Sequence, residues 1–257
     1  MNNLVIIEDM KKKLHEFIRK NMELAVNDFQ MIQPGDRILV GISGGADSFV
    51  LLQMLSGRKI FIPKDISLIA VHIDLGFYGD NPPYYDELKA FFETNGYEYH
   101  IEKTKIGTYA HSEKNRKKPC FLCSRFRRQR MIELADRFKC QKIALGHHKD
   151  DVIETLMINM LFGRQISTMM PNQELFKGKF HIIRPLVYIW EKKIKQYAQQ
   201  HEFPTFENIC PSAKTSKRVY IKNLLQKMER DYKGIRENIF KSLRHVKGDY
   251  LWDRMYW

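Results

Sequence analysis

Short apolar runs of strand length alternate with segments whose apolar residues recur at helical spacing, and this alternation restricts the chain more than any other feature. Runs at 37–43 (R-I-L-V-G-I-S), 66–74 (I-S-L-I-A-V-H-I-D), 98–102, 142–146 (K-I-A-L-G) and 180–184 read as strands. Segments 46–55, 84–95, 121–138, 150–162 and 191–201 read as helices. A stretch over 103–119 reads as a basic, polar loop. Strands joined through helices pair in parallel, and the helices then cover both faces of the sheet. The expected fold class is α/β, a doubly wound, mainly parallel sheet of about five strands. With 44% hydrophobic residues over 257, the chain can fill such a core, which excludes global disorder.

Both ends lie outside that alternation. Ile7, Met10, Leu14, Phe17, Ile18, Met22 and Ala25 predict an amphipathic helix within 6–30, ended by Pro34, Gly35 and Asp36. From Phe206 the composition shifts, and 214–247 is rich in Lys and Arg, with Leu224, Leu225, Met228, Ile239 and Leu243 at helical spacing. The expected division is a helical extension over 1–34, an α/β domain over 35–205 and a basic helical region over 206–257. Lys+Arg number 43 against 30 Asp+Glu, a net charge of +13 that suits a polyanionic partner. The basic tail reads either as a solvated helical face or as a surface that meets RNA phosphates. No apolar stretch reaches the length of a membrane span, and Glu8, Asp9, Lys11, Lys12 and Lys13 interrupt the first twenty residues where a signal peptide would be continuously apolar. The expectation is a cytoplasmic protein. There Cys120, Cys123, Cys140 and Cys210 serve as thiols or metal ligands rather than disulfides.

The strongest local signal is Gly41-Ile42-Ser43-Gly44-Gly45-Ala46-Asp47-Ser48, between the first strand of the α/β region and its first helix. Adjacent glycines accept positive φ and let the backbone approach a ligand closely. The N–H groups of the turn and of the first helical turn then face an anion. Ser43 and Ser48 add hydroxyls, and Asp47 suits a polyphosphate only with a cation between them, which assigns it to Mg²⁺. A tight turn with Ser or Asp as helix cap uses the same residue types. S-G-G-x-D-S after an apolar strand is more specific than that, and it is not the G-x-x-x-x-G-K-S/T loop of kinases and GTPases.

This segment resembles the PP-loop of ATP pyrophosphatases, which split ATP between its α and β phosphates. The resemblance makes Ser43, Gly44, Gly45, Asp47 and Ser48 candidate ATP-binding residues. Many tRNA-thiolating members carry Lys where this chain has Ala46. In similar enzymes the end of the second strand lies near the adenosine, which points to His72 or Asp74.

After the fourth strand comes Gly146-His147-His148-Lys149-Asp150-Asp151, continuing to Glu154 and Thr155. Two His and two Asp at a strand-to-helix junction are hard to explain by packing. The segment resembles the G-H-H-x-D-D-x-x-E/Q-T sequence of tRNA lysidine synthetases and tRNA 2-thiocytidine synthetases. That resemblance adds Gly146, His147 and Asp150 to the ATP site. It makes Asp47 and Asp151 the candidate catalytic pair, holding Mg²⁺ against the charge of the leaving pyrophosphate.

Cys120-Phe121-Leu122-Cys123 opens a helix bearing Arg125, Arg127 and Arg128, which favour thiolate. Taken alone, C-x-x-C reads as a redox pair, half a zinc site or part of an iron–sulfur site. Cys140 reads as a small core residue, although a zinc site using all four cysteines is also open. Members of the tRNA 2-thiocytidine synthetase family carry a C-x-x-C before the G-H-H segment and a further cysteine near the C-terminal part. Those three bind a 4Fe-4S cluster. Cys120, Cys123 and Cys210 occupy matching places, and the resemblance runs from about Gly35 to Cys210, with Arg184-Pro185-Leu186 also fitting. Family members often have a second C-x-x-C at the last ligand, where this chain has Cys210 alone.

The resemblance implies a tRNA sulfurtransferase that uses ATP, Mg²⁺ and a 4Fe-4S cluster, adenylates a tRNA base, cytidine by family, and replaces its oxygen by sulfur. Its partners would be tRNA and a sulfur donor, either a cysteine desulfurase or sulfide, and the family extends the expectation to a homodimer. Two alternatives stand beside it. A tRNA lysidine synthetase shares both ATP motifs without needing the thiols. A zinc-stabilised RNA-binding protein would carry a degenerate ATP site.

Overall fold

In β1 (Arg37–Ile42), Ile38, Leu39, Val40 and Ile42 are all buried. A strand buried on both faces belongs at the centre of a sheet. In the computed structural model β1 pairs in parallel with β2 (Ser67–Asp74), Val40 opposite Ala70, and with β4 (Lys142–Ala144), Val40 opposite Ala144. β3 (Tyr99–Lys103) extends the sheet beyond β2, and β6 (Phe180–Ile183) extends it beyond β4, both in parallel. β5 (Asn172–Leu175) closes that edge antiparallel to β6, giving the order β3-β2-β1-β4-β6-β5. Described here are residues 2–57, 65–115, 117–207, 209–213 and 215–251, with side chains from residue 8 onward.

The chain divides into two compact units, Met1–Lys149 with Met169–Lys214, and Asp150–Thr168 with Thr215–Trp257. The first unit contains the whole sheet. Its helices are α1 (Asn2–Asp28), α2 (Ala46–Ser56), α3 (Tyr85–Thr94), α4 (Ile106–Ala110), α5 (Pro119–Arg137) and α7 (Glu191–Ala198). Leu134 and Ala135 of α5 pack with Leu39, Ile69, Val71, Ile73 and Ile143, so α5 covers one sheet face. In α1, Leu14, Ile18, Met22 and Ala25 form the buried stripe, whereas Met10 and Phe17 of the expected apolar face are exposed. The side chain of Ile7 lies outside the described residues.

The strand order reverses between β1 and β4: β2 and β3 lie to one side of β1, and β4, β6 and β5 to the other. A crevice opens outside the strand ends at such a switch point. The loop after β1 and the loop after β4 both leave the sheet there.

Two elements differ from expectation. The segment 103–119 is not simply a loop: it folds into α4 and a 3₁₀ turn at Glu113–Asn115. The Thr104 hydroxyl accepts from the Ile106 N–H and starts α4, and the Gly107 N–H donates to the Leu75 carbonyl. Five residues are too few for periodicity to reveal. The sheet has six strands rather than about five, because polar β5 pairs with the open edge of β6. An edge strand needs no apolar face, and here positive φ at Phe176, Lys177 and Gly178 turns the hairpin.

The second unit holds α6 (Lys149–Gly163) beyond its first residue, together with α8 (Lys217–Asp231) and α9 (Ile235–Ser242). α8 buries Ile221 and Leu225, one turn apart, and of the residues expected on its apolar face only Leu225 is fully buried. Within the basic region Asn208, Lys214 and 252–257 lie outside the described residues. Among the described residues no helix is long and apolar enough to cross a membrane.

Candidate functional site

The turn after β1 is braced by its own hydroxyls. Ser48 is buried, its hydroxyl donates to the Gly45 carbonyl (2.7 Å), and it accepts from the Ser43 N–H (3.2 Å). The Gly45 N–H donates to the Ser43 hydroxyl at 3.3 Å. Ser48 thus shapes the loop from inside. Gly44 has φ +87, a conformation in which a β-carbon is strained. A β-carbon there would also lie 2.2 Å from the Phe206 ring, whose backbone N–H donates to the Gly44 carbonyl at 3.2 Å.

The loop after β4 comes close to this turn. A β-carbon on Gly146 would sit 3.0 Å from the Asp47 carbonyl carbon, so the two loops meet closely and a side chain there would press them a few tenths of an ångström apart. His148 Nε2 is 4.0 Å from Asp47 Oδ2. Buried Arg184 donates from Nε to His147 Nδ1 (3.3 Å) and also bonds the Met170 carbonyl. The R-P-L segment therefore orients the first histidine of the G-H-H motif.

A cavity of about 280 Å³ opens beside the turn. It is lined by Ser43 and Gly45 of the turn, His72 and Asp74 at the end of β2, the aromatic residues Tyr84 and Phe206, and Arg127 of α5. Tyr84 and Phe206 stack with centroids 3.6 Å apart, and His72 meets both rings edge-on. Asp74 accepts from the Tyr85 hydroxyl (2.6 Å) and the Gly76 N–H (2.9 Å). Burial and the neighbouring Asp74 push the Tyr85 hydroxyl well above the usual phenol range. His72 and Asp74 thus both face the cavity, and both also hold its wall together.

His72 Nδ1 lies 2.9 Å from the Ile42 carbonyl, which can only accept, so Nδ1 carries the proton and Nε2 takes the Tyr84 hydroxyl at 3.4 Å. Burial pushes the His72 pKa below its ordinary 6.5, opposed by the Ile42 carbonyl and Asp74. The unfolded chain therefore binds a proton near pH 6.5 that the folded chain refuses, and stability falls as pH drops below that value. Replacing His72 with Gln is expected to flatten this dependence by up to about 1.4 kcal/mol per pH unit between about pH 6.5 and 5.5. Urea unfolding of both proteins at about pH 7 and 5.5 measures it. An equal loss in both would remove His72 as the cause.

Cys120 is exposed and Cys123 buried in the first turns of α5, and Cys210 is half-buried. Burial raises the Cys123 thiol pKa, the nearby Cys210 and Cys120 raise it further, and the Arg127 guanidinium lowers it. Cys123 therefore feels Cys210, Cys120 and Arg127, and Arg127 also lines the cavity. His111 stands beside them: Nε2 lies 3.5 Å from Cys210 Sγ and 3.0 Å from the Ser212 hydroxyl, while Nδ1 donates to the Gly107 carbonyl. Cys140 belongs elsewhere, in the apolar core under α5, where burial pushes its thiol up to about 11. Among the described residues no three His, Cys, Asp or Glu side chains already surround a single metal position. Three cysteines outside any disulfide are nevertheless a donor set that suits an iron–sulfur cluster.

In the second unit, the carboxylates at the start of α6 are ion-paired. Arg218 Nη1 lies 2.7 Å from Asp151 Oδ1 and 3.0 Å from Glu154 Oε2, and Arg236 pairs with buried Asp150. Two arginines of the basic region are thus spent on the D-D segment rather than on a solvated face. The motifs point to Ser43, Asp47 and the cysteines, but not to Phe206, Tyr84, His111, Arg218 or Arg236. Each of these acts through a residue distant in the chain. Only the Lys- and Arg-rich tail hinted at Arg218 and Arg236.

A family model described as the PP-loop domain matches residues 8–229. A tRNA-cytidine(32) 2-sulfurtransferase of Actinobacillus pleuropneumoniae is 36% identical over 245 residues, covering 94% of this chain and 76% of that protein. The protein of that name from Hahella chejuensis is 36% identical over 249 residues, covering 95% and 86%. Among solved structures, the U34-tRNA thiolase NcsA from Methanococcus maripaludis with its 4Fe-4S cluster superposes with a TM-score of 0.71 at 25% identity, covering 91% of this chain and 81% of that one.

Proposed function

This chain belongs to the PP-loop family and, within it, to that of the tRNA-cytidine(32) 2-sulfurtransferases, and on that premise we propose that it exchanges oxygen for sulfur on a tRNA cytidine at the expense of ATP. The observation that carries this reading is one cavity shared by the phosphate-binding turn and by Arg127, which neighbours Cys123.

ATP would lie with its phosphates against the N–H groups of the turn and the N-terminus of α2. Asp47 and Asp151 are the proposed Mg²⁺ carboxylates, on the strength of their motifs; for Asp151, Mg²⁺ must then compete with Arg218. Ser43, Gly44, Gly45 and Ser48 form the turn, Gly146, His147 and Asp150 complete the proposed ATP-binding set, and His72 and Asp74 shape the adenosine side. The cytosine carbonyl oxygen attacks the α-phosphate and pyrophosphate leaves. A sulfur nucleophile then attacks C2 and expels AMP with the original oxygen. Cys120, Cys123 and Cys210 are the proposed ligands of a 4Fe-4S cluster, which when bound supplies an iron not held by the protein, able to present sulfide. Arg127 supplies positive charge where the anionic thiolates and adenylate would meet. Sulfide or a cysteine desulfurase is the proposed donor, and a cytoplasmic homodimer the proposed setting. Lysidine synthesis is not favoured, because it leaves three neighbouring thiols without a task. A zinc-stabilised binder leaves the built ATP turn without one.

The deciding experiment uses anaerobically purified protein with tRNA, ATP, Mg²⁺ and sulfide. AMP and pyrophosphate should form in equal amounts with one thiolated cytidine per turnover, read by mass spectrometry of the digested RNA. A lysine adduct on the base, or ATP turnover with no change to the RNA, would sink the proposal.

A further inference from the structure

We propose that Phe162 and Tyr220, with Lys217 beside them, form a stacking platform for unpaired nucleotides of the RNA substrate. This rests on the reading of the chain as a tRNA-modifying enzyme and adds to it the surface that grips the RNA.

The second unit leaves these rings in water although its own packing does not need them there. α8 turns Ile221 and Leu225 inward, and Arg218 fixes its first turn to Asp151 and Glu154 of α6. Tyr220 falls outside that buried stripe and is 60% exposed, and Phe162 in the last turn of α6 is 43% exposed. Their ring centroids are 6.1 Å apart at 73°, and Lys217 Nζ lies 4.6 Å from the Phe162 centroid. Apolar Leu161 beside them is also exposed. Two exposed rings on elements held by buried side chains and ion pairs form a rigid π-surface. Such surfaces take nucleobases by stacking, whatever their sequence.

Charge selects the partner. α8 carries Lys217, Arg218, Lys222, Lys227 and Arg230 against Glu229 and Asp231, and with Arg218 bound to carboxylates the excess remains positive. A second copy placing the same face here would oppose cation to cation. Duplex RNA hides its base faces, whereas single-stranded loops present them with phosphates attached.

The test is the binding of the full-length protein to a fluorescently labelled stem-loop RNA and to a blunt RNA duplex of equal length, at two salt concentrations. Phe162→Ala and Tyr220→Ala should each weaken stem-loop binding about tenfold and leave duplex binding unchanged. Tyr220→Phe and Phe162→Tyr should keep wild-type affinity, and Lys217→Ala should lower the salt slope by about one. Melting temperature and iron content in the alanine variants check that the fold is intact. Wild-type stem-loop affinity in both alanine variants, or equal loss for stem-loop and duplex, would overturn the inference. So would a change from dimer to monomer with RNA affinity intact, which would assign the patch to a second copy. If wild type bound neither RNA, the tRNA-modifying reading itself would fall.

Discussion

Gly44→Ala is expected to reduce ATP-dependent pyrophosphate release by roughly 100-fold or more, while the sheet still folds. Two separate effects act at this position. At φ +87 a β-carbon costs about 1–2 kcal/mol. The same β-carbon would also stand 2.2 Å from the Phe206 ring, far inside contact distance. Phe206 cannot yield cheaply, because it stacks on Tyr84 at 3.6 Å and its N–H is bound to the Gly44 carbonyl. The turn must therefore shift, and its N–H groups would lose the aim at the ATP phosphates proposed for them. Two charge-assisted hydrogen bonds at about 1.5–3 kcal/mol each account for a loss of that size. Isothermal titration with ATP and a pyrophosphate assay measure it. Adding Phe206→Ala should recover part of the loss, because it removes the clash but not the strained φ. Wild-type ATP binding in Gly44→Ala would show that the turn is not the phosphate site.

Cys123→Ala and Cys210→Ala are expected to lose about four irons and four sulfides per chain, and thiolation with them. Cys123 lies close enough to Cys210 and Cys120 for both to raise its thiol pKa. Cys140→Ala is the control. Its sulfur lies in the core under α5, so it should keep iron and activity and lose roughly 1 kcal/mol of stability. Pyrophosphate release dependent on tRNA should persist in all three variants, since adenylation precedes sulfur transfer. Iron and sulfide analysis after anaerobic purification, with the ultraviolet–visible spectrum, decides. Iron retained in Cys210→Ala, or lost in Cys140→Ala, would mean that a different set of thiols holds the cluster.

The parallel sheet was legible because its strands are apolar on both faces and separated by helices; β1, β2, β4 and β6 lie within a few residues of their expected spans. The S-G-G-x-D-S turn was legible for the same local reason, since its glycines and hydroxyls serve a backbone shape six residues long. By contrast, Cys140, flanked in sequence by Lys139 and Gln141, was set apart from the other cysteines only by its burial in the core under α5. β5 exists only because β6 offers it an open edge, and α4 is shorter than the period that would reveal it.

Fold class and the shape of the S-G-G-x-D-S turn were thus determined by the sequence itself, because each depends on residues near one another along the chain. Tertiary structure alone decided that Phe206 packs on Gly44, that Arg184 orients His147, and that Arg218 and Arg236 pair with the carboxylates of α6. These partners lie tens to more than a hundred residues apart, and no local propensity encodes such a pairing. It arises when the sheet and its helices bring distant side chains into contact, and burial or charge then makes each contact worth keeping.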